Sequence, residues 1–163
     1  MVEFVLVSLL SYNFPSYFSL EQELTASIII EKSLGAGEDP YFMVGLAWTE
    51  SRLQPHNISH TGDYGIFQIN YNFWGRKWGY TDRNKFAVDM SVPEHATIAA
   101  MIVLQEMKKY KSCSGLNLAA CYNGGPSWQK SKNKEKIKAY ATKVNHMRNV
   151  FKKNASDWTK MKL

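Results

Sequence analysis

The chain has little that would carry it into or across a membrane. No lysine or arginine precedes Lys32, so the apolar run FVLVSLL at Phe4–Leu10 has no basic flank of the kind a signal peptide needs. The run is also far shorter than the roughly twenty apolar residues that span a bilayer. It reads as a core-packing segment within an N-terminal extension, residues 1–19. Cysteine is scarce, with Cys113 and Cys121 alone, which is too few to assign a redox compartment. A disulfide across this short loop is one option. Cys121, however, lies in the apolar stretch LAAC, where a buried thiol is ordinary, and free thiols are the expectation. Internal repeats are absent, and nothing in the composition argues for disorder.

The chain has 163 residues, 45% apolar and 21% charged, enough for one globular domain with a sizeable core. Charge is uneven. Eleven of the twenty Lys/Arg, but only two of the fourteen Asp/Glu, fall in Lys130–Leu163. That basic end is either a solvated helix face and tail or a surface for a polyanion.

Helical signals dominate. Ser19 with Gln22 forms a capping box for a helix to about Leu34, with Leu20, Leu24 and Ile28 on one face and Gly35 and Gly37 as the stop. Asp39-Pro40 is an N-cap followed by proline at the first helical position. The helix it opens should turn Tyr41, Val44 and Trp48 inward and bring Glu50 to its end, before Pro55 forbids continuation. From His56 to about Tyr80 the helical period is lost, and loops with a small hairpin are expected. Ser91 with Glu94 reads as a second capping box, opening the buried helix ATIAAMIVL. A short helix at Leu116–Tyr122 breaks at NGGP. The last, from about Lys134 to Phe151, aligns Ile137, Tyr140, Ala141, Val144, Met147 and Phe151.

A carboxyl at the end of an apolar helix beside Trp48 would be pushed toward its neutral form by desolvation, as a general acid at neutral pH requires. On position alone Glu50 is more simply a solvated helix-end glutamate. The residues around it are compatible with the first reading. Gly62 and Gly65 flank a turn whose backbone should approach a substrate or the acid, and Tyr64, Phe73, Trp74 and Trp78 exceed what a loop region needs. Some of these rings should form a satellite cluster and at least one should line a cleft, where flat rings suit sugar faces.

The segment ESRLQPHNISHTGDYGIFQIN resembles the signature of the soluble lytic transglycosylase family, through Glu50, Ser51, Pro55, Ser59, Gly62, Gly65 and Gln68. AACYNGGP resembles that family's Tyr-Asn-x-Gly-Pro turn at Tyr122–Pro126, and KAYATKV its closing helix, with Tyr140 at the tyrosine position. The resemblance spans about Leu20–Lys153. It implies an α+β, predominantly α, lysozyme-like domain over residues 20–153, a small irregular or β lobe facing a helical lobe, and a basic tail at 154–163.

The implied activity is cleavage of the β-1,4 bond between N-acetylmuramic acid and N-acetylglucosamine in peptidoglycan. Glu50 would be acid and then base, and the substrate acetamido group would replace a second carboxylate, giving 1,6-anhydro products. Ser59 would steer the acetamide, and Gln68, Tyr122 and Tyr140 would hold the substrate or the acid. Asn123, Tyr64 and Trp74 complete the candidate substrate-contacting set. The resemblance implies no metal, no organic cofactor and no nucleic-acid partner. It implies action on glycan strands in the periplasm or cell wall. The lack of a clear signal peptide leads to an expectation of phage delivery or export by an unrecognised route, the charge distribution makes the basic C-terminal segment available to an anionic wall, and a monomer is expected. DYGIFQIN also looks like the animal c-type lysozymes, in which the aspartate of this motif is the second catalytic carboxylate. Asp63 therefore keeps a hydrolytic muramidase open, and a glycan-binding virion or envelope component without catalysis is the third alternative.

Overall fold

The computed structural model describes the backbone of residues 19–161 and the side chains of residues 19–153. The expected core-packing role of Phe4–Leu10 lies outside the described residues. Helix α1 (Leu20–Gly35) begins with the reciprocal capping box of Ser19 and Gln22. Helix α2 (Pro40–Ser51) begins at Asp39, whose Oδ1 accepts from the N–H groups of Tyr41 and Phe42 at 2.9 and 3.1 Å. A two-stranded antiparallel hairpin follows, β1 (Asp63–Tyr64) with β2 (Ile69–Asn70), pairing Asp63 with Asn70 and Tyr64 with Ile69. A π-helical turn at Tyr71–Gly75 leads to α3 (Arg83–Ser91) and α4 (Pro93–Lys108). Helices α5 (Leu118–Gly124) and α6 (Lys134–Met161) complete the domain. Among the described residues no single helix is long and apolar enough to cross a membrane.

Helix α2 is buried nearly all round, from Phe42 to Ala47, because α1 and α6 cover it on different sides. Against α6 the two backbones come so close that a Cβ on Gly45 would sit 2.9 Å from the Arg148 nitrogen and 3.2 Å from the Val144 oxygen. An ion pair fixes the same crossing. Arg148 holds Asp39 Oδ2 through Nε at 2.7 Å and Nη2 at 2.6 Å, while Asp39 caps α2 with its other oxygen. Helix α6 contributes Ile137, Ala141, Val144 and Phe151 to the core, along the stripe expected for it.

Five expectations need correction. Leu20 and Leu24 are exposed, at 72% and 57%, whereas Ala26, Ile29 and Ile30 face the core. Both stripes of α1 are apolar, and the tertiary neighbours, α2 and α4, select between them. The capping box at Ser91 does not form. Ser91 ends α3, its hydroxyl donating to the Val88 carbonyl at 2.7 Å, and Pro93 starts α4 with Val92 as an uncapped N-cap. Helix α3 was not anticipated. Asp82 caps it, but only Phe86 and Met90 are buried in it, too few to write a helical period. Cys113 and Cys121 form a disulfide, Cα to Cα 5.6 Å, so the free-thiol expectation fails. Both sulfurs are buried, and burial looks the same in sequence for a thiol and a bridge. Finally, α6 runs on beyond Phe151 to Met161, since no glycine or proline interrupts it.

Gly45 gives a test of the α2–α6 contact. Gly45→Ala gains helix propensity but forces two backbones apart, and should lose about 1–3 kcal/mol. Gly35→Ala, with nothing within 4 Å of the added methyl, should be neutral to slightly stabilising. Urea unfolding of both variants reads the difference, and equal effects would remove the steric account.

Candidate active site

Glu50 is the penultimate residue of α2, and the chain reverses immediately beyond it. Arg52 and Leu53 both take left-handed conformations, φ 58° and 62°, which are costly for residues with a Cβ and are held by their surroundings. Gln22 of α1 donates to the Arg52 carbonyl at 2.7 Å, and Leu53 is fully buried. Ser51 stitches the helix end to the hairpin loop. Its hydroxyl donates to the Ile66 carbonyl at 2.9 Å and accepts from the Gln54 N–H at 3.1 Å.

The hairpin loop is fixed from the other side by Gly65. With φ 74°, its Cα lies so close to α3 that a Cβ would fall 2.0 Å from the Met90 oxygen. The expected close approach at Gly65 is therefore to α3. Gly62, also at positive φ, has only Asn72 Nδ2 near, at 3.9 Å. Gln68 closes the loop, its amide nitrogen donating to the carbonyls of Asn57 and Gly65 at 3.1 and 2.9 Å.

These elements enclose a cavity of about 260 Å³. Glu50, Asp63, Gln68, Trp74, Tyr122 and Asn123 line it, together with Ile69, Asn70 and Val103. Tyr140 reaches the same place from α6, its hydroxyl donating to Glu50 Oε1. The Tyr122 hydroxyl donates to the Phe67 carbonyl at 2.8 Å, tying α5 to the hairpin loop. The disulfide at the neighbouring Cys121 anchors the same helix. Ser59 is engaged with Asp63. Tyr64 is not among the lining residues. Adjacent strand residues point to opposite faces, so with Asp63 at the cavity Tyr64 enters the core, 6% exposed and edge-on to Phe86 at 5.5 Å. Trp78 stacks at a tilt on Trp74 at 5.5 Å, and Phe73 meets Trp74 edge-on while remaining 62% exposed.

The two carboxyls are held in opposite states. Burial raises the Glu50 pKa to about 7, the nearby Asp63 charge adds to that, and the Tyr140 hydrogen bond and Lys143 oppose it. Burial acts on Asp63 too, but hydrogen bonds to its anion outweigh it and hold its pKa below the ordinary value. The donors are Ser59 Oγ at 2.6 Å, Thr61 Oγ1 at 2.5 Å and Asn70 Nδ2 at 2.7 Å. Burial, followed by the Glu50 charge, pushes the Tyr122 and Tyr140 phenols well up, so both remain donors. A carboxyl that keeps its proton up to about pH 7 and a fixed anion thus face one cavity, an arrangement able to supply one proton donor and one anion.

Thr61 and Asn70 were not singled out from sequence. Asn70 was legible, because a two-residue hairpin register from Asp63 places it directly opposite. Thr61 had no signal beyond its position in the loop.

The family model of the transglycosylase SLT domain matches residues 27–147 of the chain. No curated protein and no solved structure matches it.

Stability should report the half-buried acid. Because the folded-state pKa of Glu50 is raised, its favourable contribution is complete below about 4.5 and is lost as pH rises through about 7. Glu50→Gln should therefore be about 3 kcal/mol more stable than wild type at pH 8, the gap closing toward pH 5. A pH-independent difference in urea unfolding would contradict a neutral, half-buried Glu50.

Proposed function

This chain belongs to the transglycosylase SLT domain family, and from that premise we propose that it cleaves the β-1,4 bond between N-acetylmuramic acid and N-acetylglucosamine with Glu50 as its acid and base. The family acts on peptidoglycan glycan strands in the cell wall or periplasm. The observation that carries the reading is a half-buried carboxyl with a pKa of about 7 in a cleft, hydrogen-bonded by a phenol that stays protonated.

Protonated Glu50 gives its proton to the bridging oxygen as the C1–O bond breaks. The acetamido oxygen of the muramyl residue closes on C1 and carries the positive charge, in place of a protein nucleophile. Glu50, now a carboxylate, takes the proton of the C6 hydroxyl as that oxygen attacks C1 and the acetamido oxygen leaves. Water is not consumed, the product is a 1,6-anhydro sugar, and Glu50 ends protonated. Tyr140 stabilises the carboxylate between the two steps. Gln68, Asn123 and Trp74 offer an amide acceptor, a second amide and a ring face to the sugars.

A second reading rests on Asp63, an anion held by three donors beside Glu50. In it, Asp63 stabilises or attacks C1, water completes the reaction, and the enzyme is a hydrolytic muramidase. Substitution and product chemistry together separate the two. Glu50→Gln should lose about 10²-fold or more in either case. Under transglycosylation, Asp63→Asn should retain most activity and wild-type products should be anhydro sugars that borohydride leaves unchanged. Reducible products with a collapse in Asp63→Asn would establish hydrolysis, and wild-type turnover by folded Glu50→Gln would remove both.

The basic segment from Lys130 onward would concentrate the enzyme on an anionic wall. Wall binding should then weaken as salt rises to physiological strength, where exposed charges are screened beyond about 8 Å. Salt-independent sedimentation with intact walls would leave that segment an ordinary solvated surface.

A further inference from the structure

A second groove shares no residue with the catalytic cavity. It holds about 420 Å³, more than the cavity at Glu50, and runs between the start of α5 and one stripe of α6. Its floor is apolar, made by Ala120, Ala141 and the Trp128 side chain, which is 7% exposed. Trp128 also carries the one buried side-chain polar atom without a partner among the described residues, its indole Nε1.

The walls are polar and of one electrostatic sense. Lys138 and His146 are the titratable lining groups, and no carboxylate accompanies them. Asn117 and Asn149 present both donors and acceptors, and Thr142, whose hydroxyl donates to the Lys138 carbonyl at 3.0 Å, presents an acceptor. Asn145 is committed by its amide nitrogen to the carbonyls of Leu116 and Ala141, at 3.1 and 2.9 Å, which aims its oxygen elsewhere. From Lys138 to Asn149 the α6 stripe rises ~16 Å at 1.5 Å per residue. An extended peptide of about five residues, at ~3.3 Å each, has that length.

We propose that this groove binds the short acidic stem peptide carried by the glycan strand, laid along α6 as an extended chain. The proposal rests on the peptidoglycan reading above. Asparagine amides suit the alternating donors and acceptors of a peptide backbone, and Lys138 suits its carboxylates. A neutral glycan would find no use for the lysine. Engaging the stem in this groove adds a second point of attachment to the polymer, and so raises the occupancy of the catalytic cleft without a new contact inside it.

The test uses the full chain and the free stem tetrapeptide, L-alanyl-D-glutamyl-diamino acid-D-alanine. Titration followed by NMR should shift the Trp128 indole N–H saturably, and Lys138→Glu should weaken that binding about tenfold, the loss of one charge-assisted contact. Asn117→Ala and Asn149→Ala, both uncharged and at exposed positions, should slow cleavage of peptide-bearing walls and leave cleavage of peptide-stripped glycan unchanged. Absence of a Trp128 shift at millimolar peptide, the same shift with neutral chitotriose, or equal slowing on both substrates would each overturn the proposal. Its fate is separable from that of the catalytic reading. A protein that binds the peptide here yet cleaves neither substrate keeps the groove and loses the enzyme. One that cleaves both substrates without a Trp128 response keeps the enzyme and loses the groove.

Discussion

Helix α6 approaches α2 to a separation that only glycine at position 45 admits, and the rest of the site hangs on that approach. A Cβ there would press on the backbone of α6, the helix that carries Tyr140 to Glu50. The Asp39–Arg148 pair closes the same crossing by a different force, and it joins the cap of α2 to the middle of α6. One steric and one electrostatic constraint therefore set the distance between the candidate acid and its hydroxyl partner. The opposite wall is positioned independently. There Ser51, Gly65 and Tyr122 attach the hairpin loop to α2, α3 and α5 in turn.

Two carboxyls separated by one loop in sequence reach opposite protonation behaviour because their surroundings differ in kind. Glu50 has one hydrogen-bond donor and an apolar helix behind it, so removal from water dominates. Asp63 sits where the hairpin begins, among hydroxyls and an amide from its own loop, and those donors reward the anion. The charge of Asp63 also contributes to keeping the Glu50 proton in place. Asp63 thus has a physical effect on the acid in either chemical reading, whether or not it touches C1.

Local grammar made much of this legible. The Ser19–Gln22 box, the Asp39-Pro40 start and the α6 stripe are short-range signals, and all three appear as read. Glu50 was legible through the family resemblance of the segment it opens, since its helix-end position alone favoured a solvated glutamate. What escaped depends on contacts far apart in the chain. The inward face of α1 is chosen by α2 and α4, Gly65 by the Met90 carbonyl, and the orientation of Tyr64 by the strand parity of a two-residue hairpin. The disulfide escaped for another reason, since a bridged and a free cysteine bury alike.

One carboxyl in the cleft keeps its proton up to about pH 7 while its neighbour stays ionised. Carbon-13 NMR of the side-chain carboxyls, titrated from pH 2 to 9 and assigned with Glu50→Gln and Asp63→Asn, measures both directly. The account predicts a Glu50 midpoint at about 7 and an Asp63 midpoint below 3.8. A Glu50 midpoint at its ordinary value of 4.5 would contradict it.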